Sequence, residues 1–237
     1  MLALVPDGPA AVAGLRHDDV VVAADGAPLP RAPDSAANSF APAERIISAL
    51  EDAFSDGRAL LEIRRGGHVL PIEVSAALGC ASRFQVAPST RLNALADGRY
   101  VQLTSALVAA VPDEAELAGL IAHEMAHNIL SHRARLNAAG IDRGLLQHFG
   151  RNARLTRDTE READRFAVYL LVRAGYDPAA LIRVWRRVAP REGAMFGGTH
   201  PSWSERIAIV RAEIAEVERL RAEGQEIRPA WTPAVLD

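Results

Sequence analysis

His123 and His127 stand four residues apart, with Glu124 beside the first. On a helix, residues at that spacing leave the same face one turn above the other, so both imidazoles point the same way. Two neutral imidazoles so placed can hold one zinc ion, with Zn–N distances of ~2.0–2.1 Å. Glu124 is offset from the two ligands. It can reach a water beside the metal rather than the metal itself, which is the place of the general base in a His-Glu-x-x-His hydrolase. The segment from Leu117 to His127 is rich in Ala and Leu, has no proline, and reads as a helix. Pro112-Asp113-Glu114-Ala115-Glu116 opens it, with Asp113 and Glu116 spaced as a variant capping box.

A catalytic zinc takes three protein ligands and keeps one position open. Thr159 to Leu171 reads as a second helix, ended by Gly175. Glu160, Ala163, Asp164, Ala167 and Leu171 form one stripe on it at helical spacing. The small residues of that stripe let it lie close against the first helix, and Glu160 is then the candidate third ligand. Asp164, one turn further on, can accept a hydrogen bond from the free ring N–H of a ligating histidine and fix its tautomer. Glu162 points to a different face. The helix dipole accounts for acidic residues at a helix start, but not for two carboxylates on an otherwise small, apolar stripe.

His-Glu-Met-Ala-His from His123 to His127, followed by Glu160-Arg161-Glu162-Ala163-Asp164, resembles the HtpX/BepA-like zinc metallopeptidases, relatives of the type I CaaX prenyl proteases. Asn93-Ala94-Leu95-Ala96-Asp97-Gly98 is similar to the strand that precedes the zinc helix in that family. Thr199-His200-Pro201-Ser202, ahead of Glu205-Arg206-Ile207, is similar to its late His-Pro element. The resemblance runs from about Gly79 to Gly224. It implies a mainly helical, gluzincin-type domain with a small hairpin or sheet, Zn2+ as cofactor, and a protein or peptide as substrate. It also implies that Asn93, Ala94, Leu95 and Ala96 form an edge strand that binds extended substrate backbone; an ordinary hairpin is the alternative. The tetrahedral oxyanion of peptide hydrolysis needs a stabiliser besides zinc. His200 is the candidate and Arg206 the alternative. By the same resemblance, His200 could instead ligate zinc in a resting state. The family analogy extends to the bacterial cell envelope or periplasm, and to unfolded or misassembled proteins as substrates.

The chain around these residues has 237 positions, room for one large or two small domains, and 49% hydrophobic residues, enough for a core. A net charge of −3 points to no nucleic-acid partner. All 27 basic residues are Arg, which reads as compositional bias. Cys80 stands alone, so no intrachain disulfide can form. No apolar run reaches the ~18–20 residues of a membrane span. Met1 to Pro6 is too short for a secretory signal and lacks a basic start.

The expected fold class is α+β, with a PDZ-like domain over residues 1–77 and a metallopeptidase domain over residues 78–237. In the first, Leu2–Val5 and Asp19–Ala24 read as strands, Ala10–Gly14 as a short helix, residues 27–42 as a loop and Glu44–Phe54 as a helix. Ala59–Arg64 and Val69–Val74 read as a hairpin around Gly66-Gly67. Pro9 to Leu15, followed by Asp19 to Gly26, resembles a bacterial PDZ domain. The usual Gly-Asp is Asp18-Asp19 here, and almost nothing precedes Leu2 where a carboxylate-binding loop would lie.

In the second domain, Phe84–Ala87 and Tyr100–Thr104 read as strands. The Arg-rich stretch from Ser131 to Asp158 reads as a solvated helical connection, with a lid or a peripheral membrane contact as alternatives; its His132 and His148 are not assigned to the metal. Asp177-Pro178 caps a further helix, and Ser202 with Glu205 makes a capping box for the last one. The residues point to a zinc-dependent endopeptidase. The rival reading is a latent or chaperone-like peptide-binding protein that uses the PDZ-like domain, its zinc closed by a fourth ligand such as His200 or His148.

Overall fold

The structure, a computed structural model, describes residues 4–30, 40–79, 82–141, 150–192 and 201–231. It divides into two compact units, Met1–Gly79 and Cys80–Asp237.

The first unit carries α1 (Pro9–Val12), β1 (Val20–Ala24), β2 (Ala27–Pro28), α2 (Ala41–Ala53), β3 (Arg58–Arg65) and β4 (His68–Ser75), with sheet order β2-β1-β3-β4. Alternation places Ala59, Leu61 and Ile63 of β3 inward, where they pack with Leu15, Ala24 and Val74. Gly66 and Gly67, both at positive φ, form the two-residue turn that pairs Arg65 with His68.

Two expectations fail here. Residues 27–42 are not all loop: Asp25 and Gly26 adopt positive φ, the primed turn that matches strand twist, Ala27 folds back on Ala24, and α2 already begins at Ala41, while residues 31–39 lie outside the described residues. Leu4 and Val5 are not strand, and residues 1–3 lie outside the described residues. The carbonyl of Val5 accepts instead from Gly8 N at 3.0 Å across a turn at Asp7, which bends the chain away from an extended path.

The second unit begins with β5 (Arg83–Ala87), β6 (Ala94–Ala96) and β7 (Tyr100–Thr104). The sheet order is β5-β7-β6, with β5 and β7 parallel and β6 antiparallel to β7. The outer strands therefore do not make a hairpin with each other, and β6 lies at the sheet edge. Helices follow: α3 (Ser105–Ala110), α4 (Glu114–Ile129), α5 (His132–Ala138), α6 (Gly150–Arg173), α7 (Ala179–Glu192) and α8 (Trp203–Ala222). Asp113 caps α4 by accepting from Glu116 N at 2.9 Å, and Ser202 caps α8 by accepting from Glu205 N at 3.2 Å. α6 ends where Gly175 takes positive φ and Tyr176 N donates to Leu171 O.

The core between these helices and the sheet holds Val101, Leu103, Leu120, Val168, Leu171, Leu181, Val184 and Val210. Gly119 lets α7 approach α4 closely: a Cβ there would stand 3.3 Å from the Leu181 Cα. Among the described residues, no helix is long and apolar enough to cross a membrane.

Candidate metal centre

α4 and α6 bring the site together. Ala163, Asp164 and Ala167 are all fully buried at 0% exposure, so the small stripe of α6 is the face that packs. It carries Glu160, 7% exposed, toward the histidines of α4. Nε2 of His123 stands 3.2 Å from Nε2 of His127 and 3.4 Å from Oε2 of Glu160. Nε2 of His127 stands 3.5 Å from Oε1 of Glu160. Donor atoms at the corners of a tetrahedron with bonds of ~2.0–2.2 Å, the range for zinc with nitrogen and oxygen ligands, are separated by about 3.3–3.6 Å. The three separations, from 3.2 to 3.5 Å, lie close to one face of such a tetrahedron. The donor set, two imidazoles and a carboxylate, is that of a catalytic zinc site.

Each histidine is held from behind by its other nitrogen. Nδ1 of His123 lies 3.1 Å from Oδ1 of Asp164. Arg206 donates to both oxygens of Asp164, and its Nη2 lies 3.3 Å from both ring nitrogens of His123. The guanidinium also rests on the Trp185 ring at 3.9 Å, and Trp185 meets His123 edge-on. Nδ1 of His127 lies 2.8 Å from Nδ1 of His132, whose Nε2 lies 3.0 Å from Oε2 of Glu162. Arg135 donates to both oxygens of Glu162, at 2.7 and 3.2 Å.

These surroundings split the two histidines electrostatically. Burial and the Arg206 charge push His123 down, but hydrogen bonds to Asp164 and Glu160 outweigh them and raise it to about 9. Burial outweighs the attraction of Glu160 at His127 and pushes it down to about 3. Burial likewise lowers His132 despite Glu162. Asp164 is held below the usual carboxylate range because Arg206 outweighs its burial.

The centre opens into a cleft of about 440 Å³. Glu124 lines it, together with Asn93, Ala94, Leu95 and Ala96. Asn128, at the end of α4, ties the strand to the centre: its Oδ1 accepts from Gly98 N at 2.8 Å, and its Nδ2 donates to the Tyr100 carbonyl at 3.2 Å. His200 and His148 lie outside the described residues. His132, Glu162 and Arg135 are the residues that sequence reasoning left out of the site. No local signal places His132 there, because it opens α5, five residues beyond His127 and past the end of α4.

A model of peptidase family M48 matches residues 73–214. The mitochondrial metalloendopeptidase OMA1 of Schizosaccharomyces pombe is 32% identical over 138 residues, covering 48% of this chain and 41% of that protein. A Vibrio cholerae protein named "Putative beta-barrel assembly-enhancing protease" is 30% identical over 120 residues, covering 39% of this chain and 25% of that protein. The chain thus spans well under half the length of either relative.

Proposed function

Since the chain belongs to peptidase family M48, we propose that it is a zinc-dependent endopeptidase in which His123, His127 and Glu160 hold the metal. The observation that carries this is the convergence of the three donor atoms, all within 4.8 Å of one another, at the floor of a cleft that Glu124 also lines. When bound, zinc supplies a Lewis acid that polarises the scissile carbonyl and lowers the pKa of water toward ~7. Glu124 takes the proton of the attacking water and returns it to the leaving amine. Asp164 holds the Nδ1–H of His123, which leaves Nε2 facing the centre. Arg206 positions Asp164, its Nε and Nη2 both being committed to that carboxylate. We keep His200 as the candidate oxyanion stabiliser on the family resemblance.

Asn93 to Ala96 bind substrate backbone in this reading. The edge position of β6 and its place along the cleft support that role. An extended strand is demanded of the substrate, so unfolded or misassembled proteins suit the site better than folded ones. The bacterial envelope location and a PDZ-like role for residues 1–77 rest on resemblance. The four-stranded sheet with two helices in that region is compatible with the latter.

The test is turnover of an unfolded protein. Activity that vanishes on chelation and returns on adding zinc supports the proposal. Activity indifferent to chelation, or none with one zinc bound per chain, contradicts it.

A further inference from the structure

We propose that Arg135, Glu162 and His132 form a hydrogen-bonded relay that fixes the tautomer of His127, so that its Nε2 lone pair faces the metal centre. The inference rests on the metal reading above and adds three positioning residues to it.

The direction of every proton follows from the contacts. Glu162 receives both arms of the Arg135 guanidinium, so it is an ionised acceptor. It stands 3.0 Å from Nε2 of His132, and an acceptor there requires His132 to carry its proton on Nε2. His132 is 1% exposed and the carboxylate beside it is already paired with Arg135, which together hold the ring neutral. A neutral imidazole has one N–H, so Nδ1 of His132 is a lone pair. That lone pair lies 2.8 Å from Nδ1 of His127, and a contact of that length between two nitrogens holds one proton. The proton therefore belongs to His127 Nδ1. The lone pair of His127 is then on Nε2, the atom that faces Nε2 of His123 and Oε1 of Glu160. A proton on His132 Nδ1 would instead force His127 to turn an N–H toward the cation.

The relay is also built to stay in place. His132 is 1% exposed, and its ring meets that of His127 edge-on at 4.8 Å. The two ligands thus have different supports. His123 leans on a carboxylate directly, whereas His127 leans on a neutral imidazole with the carboxylate one step further out. In each case an arginine sits on the carboxylate and cancels its charge, so the supports fix geometry without adding net charge around the cation.

Three variants and one spectrum test this. His132→Phe keeps the ring volume and removes the acceptor. His132→Asn gives up volume but keeps an oxygen where Nδ1 stood. Zinc affinity is read by chelator competition, alongside the visible spectrum of the cobalt-substituted protein. The relay predicts about a 10–100-fold loss for His132→Phe, with a changed cobalt spectrum, and substantial rescue in His132→Asn. Equal affinity in wild type and His132→Phe overturns it, as does an equal loss in both variants, which marks a packing role. His127→Ala is the control for the metal reading: if it binds zinc as wild type does, that reading fails, whatever the His132 variants do. Should the variants fail to fold, imidazole nitrogen NMR of the zinc-loaded wild type decides. The expected result is His132 neutral with its proton on Nε2. A proton on Nδ1 of His132 overturns the relay.

Discussion

Arg206 lays two donors on Asp164, each at 2.7 Å, and Asp164 in turn stands 3.1 Å from Nδ1 of His123. The pair is buried, so neither charge has water to fall back on. The arginine comes from α8 and the aspartate from α6, which makes the ion pair a tie between helices as well as a support for the ligand.

Removing Arg206 leaves the Asp164 charge buried with, among the described residues, only His123 beside it. Arg206→Met is expected to destabilise the fold by about 3–5 kcal/mol, the usual cost of breaking a buried pair. Asp164→Asn keeps the shape and weakens zinc binding by about 10–100-fold without abolishing it. Denaturant unfolding and chelator competition measure the two effects. Wild-type zinc affinity in Asp164→Asn would remove Asp164 from the site.

The opposite shifts of the two histidines give a pH prediction. In the metal-free protein, His123 is raised to about 9 and is protonated at neutral pH, whereas His127 is lowered to about 3 and is already neutral. Metal binding must displace the His123 proton, so affinity rises with pH up to about 9 and falls as pH drops below it. No such dependence arises from His127 in this range. Calorimetry in buffers of different ionisation enthalpy, well below pH ~7, should show about one proton released per ion. Absence of proton release would show that His123 is not protonated before it binds.

Asn128 offers a test of the edge strand. Asn128→Ala removes the bonds to Gly98 N and the Tyr100 carbonyl that hold the β6–β7 turn on α4. Each such bond contributes about 0.5–1.5 kcal/mol. KM for a peptide substrate is expected to rise roughly tenfold with kcat less affected, since binding rather than chemistry is loosened. A fall in kcat at constant KM would place Asn128 elsewhere in the mechanism.

Spacing makes the pairing of His123 with His127 readable, because both obey one rule of helix faces. Glu160 is readable as a candidate only through the small, apolar stripe it shares with Ala163, Asp164 and Ala167 on another helix. The caps at Asp113 and Ser202 are equally local. His132 is not readable in that way. On a continuous helix, a residue five beyond His127 points elsewhere, but α4 stops at Ile129 and Ser131 adopts φ 54°. That left-handed residue, not announced by a glycine, turns α5 back and returns His132 to His127. Glu162 is read correctly as leaving the Glu160 face. Its own face meets α5, whose arrival no local pattern signals. The parallel pairing of β5 with β7 is not signalled locally either, since β6 lies between them in sequence and pairs antiparallel with the other side of β7.

The central claim is that Glu124 moves protons at a metal held by its neighbours. Glu124→Gln is close in shape and cannot take a proton. The decisive measurement is turnover of an unfolded protein by zinc-loaded wild type and Glu124→Gln, with metal content read on the same samples. Full zinc occupancy in both, with turnover in the variant lower by at least ~10²–10⁴-fold, is the expected result. Equal turnover in the two proteins would contradict the hydrolytic mechanism.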